Sequence, residues 1–249
     1  MSQEKNSILH HLAELRDTFL RCLVTVLVLF LALVYFSNDI YTIVAQPLLN
    51  VLPEGASMIA TNVAAPLLTP IKLTFFAAMF LAVPYLLMQV WKFVAPGLYK
   101  HERRLVFPLL FGSIILFYAG VAFAYFVLFP IAFSFFTAIA PEGVTIATDI
   151  GSYLSFVLGL FFAFGVAFQI PILTLILCWT GVTTAQRLRE KRAYVIVAVF
   201  VIGMMLTPPD LISQTLLALP MWALFEIGLL ASRFYVKKEQ LDSTEVLSH

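Results

Sequence analysis

The feature that most constrains the fold is the stretch 105–141, which holds 37 residues and no charged side chain. A helix crosses a bilayer with ~20 apolar residues. The apolar residues of the chain run continuously instead of alternating, which favours membrane helices over the strands of a barrel. Of the 249 residues, 61% are hydrophobic and 12% charged, against about half and about a quarter in soluble domains. The sequence therefore predicts an all-α integral membrane protein.

Six apolar segments are candidates to cross a membrane. The fifth has about 14 residues, or ~21 Å as a helix, which is less than the ~30 Å hydrocarbon core. The sixth follows after four residues, so the two form a hairpin with short fifth and sixth spans. A hairpin this short is accommodated when the bilayer thins locally, when its flanking side chains snorkel to the interface, or when a partner helix covers it. The alternative is that the fifth span is longer and includes residues of the basic segment before it. The segments are 19–36, 71–90, one that begins at residue 105, 152–179, 193–206 and 211–231.

The basic residues are segregated along the chain. The 15 lysines and arginines fall into four clusters and one outlier, Lys72. Three loops hold none: 37–70, 141–151 and 207–210. Six spans place all four clusters on the cytoplasmic side, as the positive-inside rule requires, and both termini with them. An additional span within 105–141 would break this pattern, so we expect one span that continues past Pro130 as a bent helix.

Residues 1–238 are predicted to form one six-span membrane domain that begins with an amphipathic cytoplasmic helix. The polar tail 239–249 is predicted to be disordered. The long loop 37–70 contains four prolines, which favours an ordered periplasmic cap over a flexible linker. The net charge of +1 creates no overall field that would attract nucleic acid.

The sequence lacks the patterns of several enzyme classes. It contains no G-x-x-x-x-G-K-[ST] phosphate-binding loop. Its four histidines lie outside the apolar segments, which argues against an intramembrane hydrolase and a histidine metal site. Cys22 and Cys178 both lie in apolar runs and are interpreted as reduced cysteines. We therefore expect no enzymatic activity, no cofactor and no metal.

Two glutamates stand out among basic residues at the predicted cytoplasmic face. Glu14 lies on the polar face of the N-terminal helix, opposite an apolar stripe that includes Arg16. An arginine in such a stripe snorkels or finds an acceptor. Glu102 lies in the basic stretch 99–104, where topology accounts for the bases but not for an acidic residue. Solvation alone accounts for Glu14, whereas Glu102 indicates a site for a cation.

Two polar residues lie inside the apolar segments. Gln169 precedes Pro171, and its amide either bonds to another helix or satisfies backbone groups that the proline leaves free. Glu226 lies about two turns before Arg233 on the same helix face, and we interpret it as snorkelling toward that arginine.

Five motifs in the chain match a known family in order and spacing. From about residue 9 to 235 the sequence resembles the TatC family, the multispanning core subunit of the twin-arginine (Tat) protein translocase. The resemblance implies six spans with both termini inside, in the bacterial cytoplasmic membrane. It also implies export of folded proteins driven by the proton-motive force. The motifs are HLAELR at 11–16, PGLYKHERR at 96–104, APEGV at 140–144, LTPPD at 206–210 and FEIG at 225–228.

The resemblance also implies partners and functional residues. The partners would be twin-arginine signal peptides of folded precursors, the single-span subunits TatA and TatB, further TatC copies and the lipid bilayer. The recognition patch for the signal peptide would consist of Glu14, Arg16, Phe93, Glu102 and Arg104. The residues facing the single-span partners would be Met204, Thr207 and Gln214. Further functional positions would be Pro47, Gln169 and Asp210.

The chain departs from the family pattern at two points. The first motif usually continues with another basic residue, but here Asp17 and Thr18 follow. The family often has a glutamate where this chain has Gln169. Two other function classes remain as alternatives: a secondary transporter of a small solute, which would need paired broken helices with ionisable groups at mid-membrane, and a membrane scaffold without a ligand.

Overall fold

The computed structural model of the protein describes residues 2–50, 58–94, 103–139, 147–206 and 211–246. Within these ranges the backbone is helical apart from short connections, and the only β interaction is an isolated parallel bridge between Ile59 and Asp149. The described residues thus confirm the all-α prediction. Two compact units divide the chain: one comprises Met1–Leu49, Ser57–Leu110 and Ala147–Leu154, and the other Asn50–Ala56, Phe111–Ile146 and Ser155–His249.

The first unit is built on three helices: α1 (Ser2–Leu33), α2 (Ser37–Leu49) and α3 (Ala65–Val94). A short 3₁₀ turn joins α1 to α2. Both helices pack against α3, and the rings of Phe30 and Phe75 meet edge to face with centroids 5.9 Å apart. Most large apolar side chains of α1 are exposed, as on a helix that faces lipid, where burial against protein brings no hydrophobic gain. The predicted amphipathic helix and the first span are therefore one helix.

The described part of the segment 37–70, predicted to be an ordered cap between spans, is mostly helical instead of an irregular loop. Helix α2 continues to Leu49, and α3 begins at Ala65. Pro66 is the second residue of α3, where a missing N–H costs no intrahelical hydrogen bond. Pro47 lies two residues before the end of α2. These two prolines therefore stand near the ends of helices.

The second unit contains most of the remaining helices, and α10 packs against α7, α8 and α9. Aromatic rings fill its interior: Phe129 and Phe164 are fully buried, and Phe129 lies 5.1 Å from Phe161 between ring centroids. The helices from here on are α4 (Arg103–Phe123), α5 (Phe129–Ile139), α6 (Ile150–Ala167), α7 (Ile170–Trp179), α8 (Ala185–Glu190), α9 (Arg192–Leu206) and α10 (Leu211–Val246).

The described part of the uncharged run, residues 105–139, forms one continuous helical segment that continues past Pro130, as predicted. Its α-helical pattern is interrupted by a π-turn, Ala124–Leu128, in which the N–H of Phe129 donates to the carbonyl of Ala124. Pro130 has no N–H to donate to the preceding turn. The π-turn therefore lies where the regular pattern of hydrogen bonds is already incomplete.

Five helical segments in the described part of the chain are long and apolar enough to cross a membrane. The predicted fifth span corresponds to α9, which has 15 residues and is shorter. It takes only Arg192 from the basic segment, because Arg187 and Arg189 lie in α8 and a turn at Lys191 separates the two helices. The five segments are Ala13–Leu49, Ala65–Lys92, Val106–Phe135, Ile150–Trp179 and Gln214–Arg233.

The sixth predicted span is of ordinary length, so only the fifth of the predicted short pair is short. The apolar part of α10, Gln214–Arg233, has 20 residues, which suffices for the ~30 Å hydrocarbon core. Helix α10 also includes residues 239–246 of the polar tail. The disorder of that tail stays a prediction.

Helices α7 and α10 approach closely at Gly228. A methyl group added at this glycine would clash with Oγ1 of Thr174 and would lie 2.9 Å from Cα of Pro171. The Thr174 hydroxyl is fixed there, because it donates to the carbonyl of Pro171 at 2.9 Å. Only glycine therefore allows the two helices their present spacing.

Candidate functional site

The predicted recognition patch is described in part. Glu14 and Arg16 lie on α1 with exposed side chains. Phe93 is in the last turn of α3 and Arg104 in the first turn of α4, but their side chains lie outside the description. Glu102 lies outside the described residues. Of the five patch residues, only Glu14 and Arg16 on α1 therefore have described side chains.

Arg16 finds its acceptor in the next residue of the chain. Its Nε and Nη2 atoms donate to Oδ1 of Asp17 at 3.0 and 2.9 Å. The two side chains are 71% and 52% exposed, so the pair contributes little stability, about 0–1 kcal/mol. Asp17, noted in the sequence only as a departure from the family, thus partners a predicted site residue. Glu14, Arg16 and Asp17 together bring two carboxylates and one guanidinium, and Arg21, one turn further, brings residues 14–21 to a net charge of zero.

Asp149 ties the start of α6 to residues 58–64, in the first unit. Its Oδ1 accepts from the N–H and hydroxyl of Thr61 at 3.0 and 2.8 Å. Its Oδ2 accepts from the N–H and hydroxyl of Ser152 at 2.9 and 3.1 Å. Hydrogen bonds hold the pKa of Asp149 well below its usual range; the largest effect comes from the backbone N–H of Thr61 and the next from that of Ser152.

The sequence reasoning missed Asp149. A usable signal was present, because an aspartate directly before an apolar run is a typical N-cap of a helix. The long-range contact to Thr61, 88 residues earlier, leaves no such local pattern.

Of the further functional positions that the resemblance implies, the structure describes Pro47, and Asp210 lies outside the described residues. Pro47 is buried in α2. One turn earlier, the carbonyl of Val44 accepts from the hydroxyl of Tyr153 at 2.7 Å. The end of α2 is thus fastened to the beginning of α6.

Gln169 bonds across helices, which decides between the two alternatives left open by the sequence. Its Nε2 donates to the carbonyl of Ser113 on α4 at 2.9 Å. The residue lies in the turn between α6 and α7, and Pro171 follows at the start of α7. Ser113 is 2% exposed, so this bond lies in a closely packed part of the second unit. The amide therefore joins a broken helix to its neighbour.

The predicted partner-contact residues have different environments. Met204 on α9 is 53% exposed, whereas Gln214 on α10 is 8% exposed. The Nε2 of Gln214 donates to the carbonyl of Phe200 at 2.8 Å, and its Cγ lies against Gly203. Thr207 lies outside the described residues. Met204 is therefore open to a partner, while Gln214 holds α9 and α10 together.

Glu226 does not snorkel toward Arg233, and that interpretation is wrong. It forms an ion pair with Nη2 of Arg192, across the hairpin of α9 and α10. Arg192 lies 14 residues before the end of α9 and Glu226 lies 15 residues after the start of α10. In an antiparallel hairpin these positions lie opposite each other. Equal distance from the turn was the signal that could have found the pair.

The described polar groups are suited to binding through charge and hydrogen bonds. No group of three or more histidine, cysteine, aspartate or glutamate side chains within the described ranges is placed to hold a metal ion. Cys22 and Cys178 are both free thiols.

Three comparisons with known proteins agree. The family model for the Sec-independent protein translocase protein TatC matches residues 10–220. The chain is 62% identical to the TatC of Haemophilus influenzae over 236 residues, covering 95% of this chain and 92% of that protein. It is 58% identical to the TatC of Escherichia coli strain K12, with the same coverage.

A solved structure supports the fold as well. The crystal structure of the twin-arginine translocase receptor TatC superposes with a TM-score of 0.81 at 37% identity, over 90% of this chain and 98% of that one. Both the sequence and the fold are thus those of one family. The chain belongs to the TatC family of Sec-independent protein translocase proteins.

Proposed function

We propose that the protein is the signal-peptide receptor of the twin-arginine translocase. It binds the paired arginines of precursor signal peptides at its cytoplasmic face. It then gathers TatA- and TatB-like single-span subunits, and further copies of itself, to export folded proteins. Transport uses the proton-motive force across the bacterial cytoplasmic membrane. Six spans, with α9 as the short fifth, and two cytoplasmic termini complete the proposal.

The observation that carries the proposal is the pair of exposed carboxylates, Glu14 and Asp17, on α1. Arg16 is paired with Asp17 at 2.9 Å, and with Glu14 the three side chains have a net charge of −1. Two guanidiniums of a signal peptide need carboxylates that accept their planar forks. We propose that Glu102, together with Phe93 and Arg104, completes this acceptor.

The partner subunits are proposed to contact the hairpin of α9 and α10. Helix α9 has 15 residues, and a span of that length is mismatched to a bilayer unless another helix covers it. The exposed Met204 offers a flexible apolar contact, with Thr207 at the turn. Gln214 holds the hairpin through Phe200, and we propose that partner binding acts on this bond.

Three further residues are proposed to be required for transport: Pro47, Gln169 and Asp210. Pro47 lies near the end of α2, which is hydrogen-bonded to Tyr153 of α6. Gln169 lies at the break between α6 and α7 and is hydrogen-bonded to Ser113 of α4. The small-solute transporter is not favoured, because membership in the TatC family supports protein transport.

The test is the affinity of purified protein for a peptide that contains S-R-R-x-F-L-K. We expect Glu14→Gln and Glu102→Gln each to weaken binding by about 10- to 150-fold, the effect of losing a charged hydrogen bond of about 1.5–3 kcal/mol. A peptide with Lys-Lys in place of Arg-Arg keeps the charge but loses the fork, so it should bind less tightly to the parent protein.

The control is Asp39→Asn, because Asp39 is an exposed carboxylate in the first turn of α2, one span away from the patch. It should leave the affinity unchanged at fixed salt. If the glutamate variants and the Lys-Lys peptide lose affinity additively, with no coupling between them, the glutamates do not touch the arginine pair and the proposal fails.

A further inference from the structure

A cavity of about 890 Å³ lies in the second unit, beside α8, the start of α9 and the part of α10 around Arg233. Arg189, Arg192 and Arg233 line it, together with one acidic residue, Glu190. Hydroxyl and amide groups complete the polar part of the lining, from Thr183, Thr184 and Gln186. This arginine cavity takes no part in the proposed signal-peptide site.

The charges of the arginine cavity are not balanced. Arg192 is held by Glu226. Among the described side chains, neither Arg189 nor Arg233 forms an ion pair with a carboxylate. Both are exposed. Two guanidiniums thus line a concave surface and can bind an anion.

The position of the cavity along the helices indicates which anion. Arg192 is the first residue of α9, and Arg233 is the last residue of the apolar part of α10. Arg192, opposite Glu226, lies about two turns deeper along α10 than Arg233. Arg233 marks the level at which the apolar surface of α10 ends, which is the boundary between hydrocarbon and head groups. The phosphates of phospholipids lie at that level, and basic pockets between membrane helices bind them.

We propose that the arginine cavity binds a phosphate group, presented by an anionic phospholipid or by a soluble phosphate ester. The guanidinium fork matches two phosphate oxygens and gives shorter, stronger hydrogen bonds than an ammonium does. The volume of about 890 Å³ is ample for a head group, since ligand sites occupy ~300–1,000 Å³. This phosphate site is separate from the signal-peptide site, and the proposal does not depend on signal-peptide recognition.

The experiment is a ligand titration of the purified full chain, read by native mass spectrometry. Phosphatidylglycerol, phosphatidylcholine with the same acyl chains, and glycerol phosphate are the three probes. We expect phosphatidylglycerol to bind at least about tenfold more tightly than phosphatidylcholine, since one charged hydrogen bond has that effect. The double variant Arg189→Gln/Arg233→Gln should abolish this preference.

Arg187→Gln is the matched control, because Arg187 is an exposed arginine of α8 that does not line the cavity. It measures the general attraction of positive charge and should keep the preference. Competition by glycerol phosphate would show that the head group alone is recognised. A lack of competition would show that the acyl chains are also needed for binding. The proposal is overturned if the parent protein does not prefer phosphatidylglycerol and binds no glycerol phosphate, or if Arg187→Gln removes the preference as fully as the double variant.

Discussion

Arg192, the first residue of α9, forms an ion pair with Glu226 of α10, and the pair fixes the register of the hairpin. The two side chains are 38% and 21% exposed. In the described part of the chain, Nε of Arg192 and Oε1 of Glu226 are buried without a hydrogen-bond partner. A partly buried pair with unused groups adds little net stability, but removing one partner leaves the other charge uncompensated. Its main effect is therefore to position α9 on α10.

The two single substitutions in this pair should together cost more stability than the double substitution does. We expect Arg192→Gln and Glu226→Gln each to lower the free energy of unfolding by about 1.5–3 kcal/mol. The double variant should lose clearly less than the sum, because it leaves no unpaired charge. Unfolding in mixed micelles measures these values, with Arg187→Gln as an exposed control. Additive losses would contradict a direct interaction.

Gly228 should not tolerate alanine. The added methyl group would meet Thr174 and Pro171, so we expect a loss of about 1–3 kcal/mol in the free energy of unfolding, although alanine is the better helix former. Gly112→Ala is the control, since its nearest new contact is Ile172 Cδ1 at 3.6 Å. An equal response of the two glycines would contradict the close approach of α7 and α10.

Gln169→Leu should weaken transport and cost about 0.6–2 kcal/mol of stability, the range for a hydrogen bond between membrane helices. The reason is the loss of the bond to the Ser113 carbonyl. Gln169→Glu should be tolerated, because a protonated carboxyl group donates the same bond. Export of a reporter protein and unfolding in micelles are the two measurements. Full export by the leucine variant would leave Gln169 without a role in transport.

The first unit should lose stability in acid through Asp149. Its pKa is lowered in the folded state by the N–H groups of Thr61 and Ser152. The stabilisation is therefore complete above the ordinary aspartate pKa of about 3.9 and is lost as the pH falls below it. Thermal unfolding between about pH 7 and 3 should show this decline, and Asp149→Asn should flatten it.

The proposed topology puts Val63 and Val182 on opposite sides of the membrane. Both are exposed, at 101% and 70%. In a chain with Cys22 and Cys178 replaced by alanine, Val63→Cys should react with an impermeant maleimide in intact spheroplasts. Val182→Cys should react only after lysis. Labelling of both residues from the same side would disprove the six-span arrangement.

The apolar runs allowed most helices to be predicted, because burial in a membrane demands uninterrupted apolar residues. The fifth segment, predicted as 193–206, is α9, Arg192–Leu206. The single helical course of the uncharged run past Pro130 was predictable from the distribution of basic residues alone. These features depend on local composition, which one sequence displays fully.

Long-range polar contacts could not be predicted in the same way. Composition does not show that Asp149 meets Thr61 or that Gln169 meets Ser113, because each bond joins distant parts of the chain. For the candidate patch, the family resemblance named Glu14 and Arg16, but the pairing of Arg16 with Asp17 depends on rotamers. The roles of these residues stay proposals.

The π-turn Ala124–Leu128 has a consequence for changes in chain length. Such a turn holds one residue more than an α-helical turn, so every later side chain is rotated by ~100° from its phase in a regular helix. That phase places Phe129 fully inside the protein, while Phe126 in the turn is 72% exposed. Deleting one residue here would restore the regular helix and swing the buried ring toward lipid. At this place the fold is therefore more sensitive to a single-residue deletion than to a substitution.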